Sequence, residues 1–145
     1  MLLISRCGVL SFLVCYALAV SAQGAAVLES IRTGIVDGET RIVFDLSEPA
    51  RYQILPHADA RELVIEFPLT ELQQDLSVLD WHGTPVTGIS RLPEKNEGLR
   101  LLLQLREPVT TRVSELPADA GRQHRVIVDL RKRTDSYGDS PKVLG

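Results

Sequence analysis

Three histidines are the residues of this 145-residue sequence that would first suggest a metal site. His57, His82 and His124 each stand alone, without a second histidine two or four positions away. A hydrolytic zinc centre needs imidazole and carboxylate ligands that converge on one ion, together with a second carboxylate that acts as base. We therefore expect each histidine to be a solvated surface residue, and the sequence predicts no metal and no other cofactor.

Nucleophilic catalysis has no recognisable site in the sequence either. Both cysteines, Cys7 and Cys15, fall within the first 22 residues, and no serine lies in a Gly-x-Ser-x-Gly turn. No glycine-rich phosphate-binding loop precedes a helical pattern. We predict that this chain is not an enzyme and that it contains no catalytic residues.

Arginines and carboxylates alternate with apolar residues in strand-like segments, and this pattern is more informative. In the segment 41–46, the even-numbered positions are apolar, whereas Arg41 and Asp45 lie on the opposite face. This alternation is typical of a strand that covers a core on one side only, and Glu48-Pro49 then ends it. From the residues alone, the outward side is most simply interpreted as an ordinary solvated sheet face, on which mixed charges maintain solubility.

The same pattern occurs again 59 residues later. Arg100–Pro108 repeats the arginine, the three inward apolar positions and the closing Glu-Pro of Arg41–Pro49. Arg91 follows Arg32 at the same offset. The chain is therefore predicted to contain two halves built on one plan.

Each half is predicted to be a four-stranded antiparallel meander with one apolar face. The halves span about 27–68 and 86–131, and the irregular stretch 69–81 bridges them. The Asp37-Gly38 pair is typical of a tight hairpin turn. Because a lone meander of this size is marginally stable, we expect an all-β domain in which two pseudo-symmetric four-stranded antiparallel sheets pack as a β-sandwich.

The first 22 residues show the three-part pattern of a secretory signal peptide. Residues 1–6 carry one positive charge, residues 8–20 are almost wholly apolar, and Val20-Ser21-Ala22 has the small residues of a cleavage site. The apolar run is short for a bilayer span. We expect cleavage after Ala22, a periplasmic mature protein and no membrane association after cleavage.

The mature domain is predicted to cover residues 23–133. Residues 134–145 lack periodicity and are predicted to be a disordered tail or the start of a linker. Loss of Arg6 with the signal peptide would change the formal net charge from −3 to −4. No basic surface is predicted that would favour nucleic acid as a partner.

Two strand segments resemble the AMIN domain, the N-terminal domain of periplasmic N-acetylmuramoyl-L-alanine amidases. They are Thr40–Tyr52, with the sequence TRIVFDLSEPARY, and Arg61–Phe67, with the sequence RELVIEF. The resemblance covers about residues 27–133. It implies a non-catalytic module of two symmetric four-stranded sheets that binds peptidoglycan and localises the amidase at the division septum, where the wall is split.

The resemblance also implies that the charged sheet faces bind peptidoglycan. Arginines suit the carboxylates of stem peptides, and carboxylates and amides suit sugar hydroxyls. We expect Arg32 and Arg41 to be neighbours on the outer face of the first sheet, beside Asp45 and Glu66. Arg91 and Arg100 are expected to repeat this placement in the second half. Trp81 is interpreted either as a sugar-stacking residue or as a core anchor. The candidate peptidoglycan-binding residues are Arg32, Arg41, Asp45, Glu66, Arg91, Arg100, Gln104 and Asp129.

Two other functions remain open. One is that the chain is the N-terminal part of a zinc amidase, whose catalytic domain is absent from a chain that stops at Gly145. The other is a protein-interaction module of an envelope complex, because the AMIN domain is also found on pilus secretins. An envelope or divisome protein is therefore a second expected partner.

Overall fold

The computed structural model describes residues 24–56, 59–94 and 97–134. The predicted signal peptide, His57 and residues 135–145 of the predicted tail lie outside the described residues. The described residues form nine strands and one 3-10 turn, Leu76–Val78, with no α-helix. The strands are β1 (Ala26–Val36), β2 (Glu39–Leu46), β3 (Gln53–Pro56), β4 (Glu62–Pro68), β5 (Thr70–Leu72), β6 (Val86–Leu92), β7 (Gly98–Leu105), β8 (Val109–Leu116) and β9 (His124–Lys132).

The strands form two sheets. A five-stranded sheet has the order β5-β1-β2-β9-β8, and a four-stranded sheet has the order β3-β4-β7-β6. Every neighbouring pair is antiparallel except β1 with the short strand β5. The predicted all-β class and the sandwich of two sheets are confirmed, and β5 adds a fifth strand to one of them.

The prediction that each half forms its own sheet is wrong. Each half contributes one hairpin to each sheet, so that β2 pairs with β9 and β4 pairs with β7. The turns after β2 and β7, which contain Pro49 and Pro108, carry the chain from one sheet to the other. Alternation in the sequence identifies the buried face of a strand, but it does not identify the neighbouring strand. The two halves are therefore interleaved, and neither sheet exists without both.

One core lies between the sheets. Phe44 of β2 and Phe67 of β4 are fully buried, with ring centroids 5.3 Å apart at an interplanar angle of 52°. Leu101 and Leu103 of β7 are buried in the same cluster. Trp81, in the segment that connects the halves, is half-buried and packs against this core, which favours the core-anchor interpretation over sugar stacking.

Candidate functional site

Seven of the eight predicted binding residues lie on the solvent sides of the two sheets. We call the outer side of the five-stranded sheet the five-strand face, and the outer side of the four-stranded sheet the four-strand face. On β2 the even-numbered residues enter the core, so Arg41, Val43 and Asp45 point outward on the five-strand face. Strand β9 lies beside β2 and places Asp129 on the same face.

Arg41 and Asp129 form the central ion pair of the five-strand face. They are direct cross-strand partners, and Arg41 donates from Nε and Nη2 to the two carboxylate oxygens at 2.7 and 3.0 Å. The Asp129 side chain is 6% exposed, whereas that of Arg41 is 37% exposed. The hydrogen bonds from Arg41 lower the pKa of Asp129 and outweigh the opposite effect of burial. The predicted neighbour of Arg41, Glu66, lies instead in the other sheet, because the halves are interleaved.

Two exposed arginines extend this pair toward one end of the face. Arg131 donates from Nε to Glu39 at 2.7 Å, and Arg112 lies 3.4 Å from Glu39 and 3.8 Å from Asp129. Their side chains are 69% and 71% exposed. Arg131 could have been included from the sequence, since it follows Asp129 by two positions on one strand. Arg112 could be recognised as part of this face only from the structure, because β8 joins this sheet only through its pairing with β9.

Asp45 is the second buried carboxylate of the five-strand face. Arg32 donates to both of its oxygens at 2.7 and 2.8 Å, and the Ser30 hydroxyl donates at 2.6 Å. Burial raises the pKa of Asp45, but the hydrogen bonds from Arg32 and Ser30 outweigh it, so the pKa lies below its ordinary value. Arg125 of β9 is the cross-strand partner of Asp45. It lines an open groove with Arg32 at this end of the sheet.

The four-strand face carries a corresponding central pair. Arg100 lies opposite Glu66, with Nε 2.6 Å from a carboxylate oxygen, and Glu94 lies 3.4 Å from the same nitrogen. Gln104 is exposed and lies opposite Glu62, where the five-strand face has Asp45 opposite Arg125. The structure therefore brings Arg100 and Glu66 together. Gln104 faces an acidic residue, whereas Asp45, its counterpart on the five-strand face, faces an arginine.

The expected placement of Arg91 beside Arg100 on the outer face is wrong. Arg91 pairs with the core residue Leu101, whereas Ser90 pairs with the outward residue Leu102. Arg32 pairs with Val43, the counterpart of Leu102, so the structural counterpart of Arg32 is Ser90. The turn between β6 and β7 is longer than the two-residue turn between β1 and β2, and this shifts the offset by one residue. A shift of one residue moves a side chain to the other face of a strand.

The histidines do not form a metal site within the described part of the chain. The His82 ring lies 2.7 Å from the Asp80 carboxylate, and both side chains are largely exposed. His124 begins β9, opposite Leu46. No group of three His, Cys, Asp or Glu side chains among the described residues could hold a metal ion.

The structure thus divides the eight predicted binding residues between two surfaces. Arg32, Arg41, Asp45 and Asp129 share the five-strand face, whereas Glu66, Arg100 and Gln104 share the four-strand face and Arg91 is exposed on its edge strand.

Comparison with known proteins gives one match. The family model of the AMIN domain matches residues 30–130, which is more than half of the chain. A comparison with curated proteins finds no match. Among the residues that the structure describes, no helix is long and apolar enough to cross a membrane.

Proposed function

Because the chain belongs to the AMIN domain family, we propose that it is a peptidoglycan-binding module that localises a cell-wall N-acetylmuramoyl-L-alanine amidase during septal wall splitting. AMIN is a non-catalytic domain, known as a peptidoglycan-binding and localisation module of exported, periplasmic proteins. Such a module acts by concentrating an attached or associated enzyme at its polymeric substrate. The chemistry of wall cleavage would belong to the amidase.

The observation that carries this proposal is the arginine content of the five-strand face. The outward residues of its described strands include five arginines and four carboxylates, and a fifth carboxylate, Glu29, lies in the bulge of β1. Stem peptides of peptidoglycan present carboxylates to such a surface, and arginine forks bind carboxylates through paired hydrogen bonds. The arginines are Arg32, Arg41, Arg112, Arg125 and Arg131, and the carboxylates of the strands are Glu39, Asp45, Glu71 and Asp129.

The internal ion pairs of this face support binding and do not prevent it. A guanidinium has five N–H donors, and Arg32 and Arg41 each use Nε and Nη2 for their carboxylate partners. The hydrogens on Nη1 are left for oxygen atoms of a ligand. Because the carboxylates already hold the arginine side chains in one orientation, less side-chain entropy is lost when a ligand binds.

Pelleting with purified sacculi tests the proposal. We expect the wild-type protein to pellet with sacculi and to be released by added salt, since exposed charge pairs are screened. Arg112→Gln should weaken pelleting by up to about fivefold, which corresponds to the contribution of one exposed ion pair. Arg91→Gln, on the other sheet, is the control that removes the same charge. If the wild-type protein does not pellet, or if both variants pellet equally well while folded, the five-strand face is ordinary solvated surface.

The proposal also includes export to the periplasm and localisation at the division septum, and each can be tested separately. Mass spectrometry of the mature protein should find an N-terminus at Gln23, and a periplasmic fluorescent fusion should concentrate at the division site. A retained Met1 in the cytoplasm would contradict export. Uniform periplasmic fluorescence, or capture by an envelope protein complex without sacculus binding, would favour the protein-interaction alternative.

A further inference from the structure

We propose that a groove at one end of the five-strand face is a binding site for the free carboxylate groups of the peptide part of peptidoglycan. This inference rests on the proposed function and adds residues and a ligand group to it. We call the site the arginine groove. It is lined by Arg32, Asp45, Gly121, Arg122, Gln123 and Arg125.

The arginine groove has more positive charge than its one carboxylate can neutralise. Asp45 receives two hydrogen bonds from Arg32 and one from Ser30, and Arg125 also acts on it through charge. Three arginines thus face one carboxylate in the lining of the groove. At the rim, Glu29 contacts the Gln123 side chain and offsets only part of this excess.

Arg125 provides the second, independent observation. Its Nε atom is buried and has no hydrogen-bond partner among the described residues. A buried guanidinium N–H without an acceptor is unfavourable, so a movement of the side chain that brings this N–H to a ligand oxygen in the groove would be favoured. The residue lies on β9, opposite Asp45, so its position is fixed by the sheet.

A closed turn positions Arg122 at the groove. Asp119 and Arg122 exchange backbone hydrogen bonds of 3.1 and 2.7 Å across the turn. Ala120 and Gly121 adopt the left-handed conformation, with φ of 42° and 83°, which reverses the chain within two residues. The turn then leads directly into β9, so Arg122 and Arg125 are presented from one rigid connection.

The chemistry of the groove favours a single carboxylate over a polyanion. Guanidinium groups match the planar carboxylate in charge and in hydrogen-bond geometry. A nucleic acid or another polyanion would also meet Asp45, Glu29 and the negative charge of the whole chain. The four-strand face has Gln104 and Glu62 where this face has Asp45 and Arg125, so the equivalent position there carries no arginine.

Calorimetric titration with soluble wall fragments tests the inference. The protein is titrated with a disaccharide-peptide that carries free carboxyl groups, with the same fragment after amidation of those groups, with the peptide-free disaccharide, and with inorganic phosphate. We expect amidation to weaken binding by at least about tenfold, since a hydrogen bond to a charged group is lost. Arg125→Gln should bind the free-carboxyl fragment as weakly as wild type binds the amidated one.

Two further variants are measured: Arg122→Gln is a second test of the groove, and Arg91→Gln is the control. Arg122 lies in an exposed turn, so this variant tests the groove if Arg125→Gln fails to fold. Arg91→Gln removes one charge far from the groove and should bind as wild type does. If the protein pellets with sacculi but amidation and the Arg122 variant have no effect, the carboxylate site is overturned and the proposed function stands. Equal binding of inorganic phosphate also overturns it, whereas failure to pellet with sacculi overturns the proposed function instead.

Discussion

On the five-strand face the central cross-strand pair is Arg41 with Asp129, and on the four-strand face the equivalent pair is Arg100 with Glu66. The acidic side chain is 6% exposed in the first pair and 24% exposed in the second. Arg100 is shared between Glu66 and Glu94, whereas Asp129 has Arg41 and the more distant Arg112. On the four-strand face, the arginine of the central pair therefore has two carboxylate partners. On the five-strand face, the carboxylate of the central pair has two arginine partners.

The two faces also differ at the neighbouring outward cross-strand pair. Asp45 lies opposite Arg125 on the five-strand face, and Gln104 lies opposite Glu62 at the same place on the four-strand face. The core positions between the two rows are apolar and buried in both sheets: Ile42, Phe44, Val126 and Val128 in one, and Leu63, Ile65, Leu101 and Leu103 in the other. The two halves thus share the apolar positions that the sandwich needs for packing, while the outward charges differ between the two faces.

The largest effect should follow from Phe44→Ala, which tests whether the two faces share one core. Phe44 is fully buried and packs against Phe67 of the other sheet, so the cavity should lower the free energy of unfolding by about 3–5 kcal/mol. Urea unfolding can be followed by Trp81 fluorescence and by circular dichroism, and both signals should shift together.

Val78→Ala is the matched control for that measurement. Val78 is 67% exposed, so its truncation should change the free energy of unfolding by less than about 0.5 kcal/mol. Two separate unfolding transitions in the wild-type protein, one for each sheet, would contradict the interleaved architecture.

A smaller effect should distinguish the two central pairs. Asp129→Asn removes a nearly buried charged acceptor and should lower the free energy of unfolding by about 1–3 kcal/mol. Glu66→Gln should lower it by less than about 1 kcal/mol, because the site is more exposed and Arg100 keeps Glu94. Chemical denaturation of both variants measures the difference. Equal losses would show that the two faces do not differ in this respect.

The buried carboxylates of the five-strand face should also make the stability of the fold depend on pH. Arg41 lowers the pKa of Asp129 in the folded protein, and hydrogen bonds from Arg32 and Ser30 lower that of Asp45 against the effect of burial. A folded-state pKa below the unfolded value stabilises the fold above the unfolded pKa, near 3.9. This stabilisation should be lost as the pH falls from about 4 through the lowered values. Asp129→Asn should give a shallower acid decline, and an unchanged decline would count against the role of Asp129.

The smallest effect is expected for Arg91→Gln. The side chain is exposed on β6, and it lies outside both central pairs. Its removal should change the melting temperature by less than about 1 °C, in line with surface substitutions elsewhere in proteins. A larger drop, measured by differential scanning calorimetry, would show that this residue supports the four-stranded sheet in a way that its contacts do not indicate.

Much of the fold followed from the sequence because alternation and turn residues are local signals. The inward apolar positions of β2, β4, β7 and β9 were predicted from their period-2 runs, whereas Val64 and Ile127, expected on the outward side, are buried as well. The pairing of β2 with β9 and of β4 with β7 was not predicted. Strand partners are chosen by long-range packing, and two halves with matching patterns allow either arrangement.

The sequence predicted which charged residues lie on an outer face, but it did not predict which of these side chains pair with one another. Arg41 and Asp45 were correctly placed on an outward face, but Arg41 is held by Asp129 and not left free. We therefore expect Arg41→Ala to lower the melting temperature by unpairing a buried carboxylate, as well as weakening any ligand. Arg122 and Arg125 were missed as site residues, because their importance depends on a left-handed turn and on a neighbouring strand.

Amide chemical-shift mapping with a soluble disaccharide-peptide fragment of peptidoglycan tests most directly the central claim, that the five-strand face binds the cell wall. We expect perturbations concentrated on β2, β8, β9 and the turn at Gly121, with little change on β4 and β7. Perturbations centred on the four-strand face, or none at fragment concentrations that compete with sacculi, would contradict it.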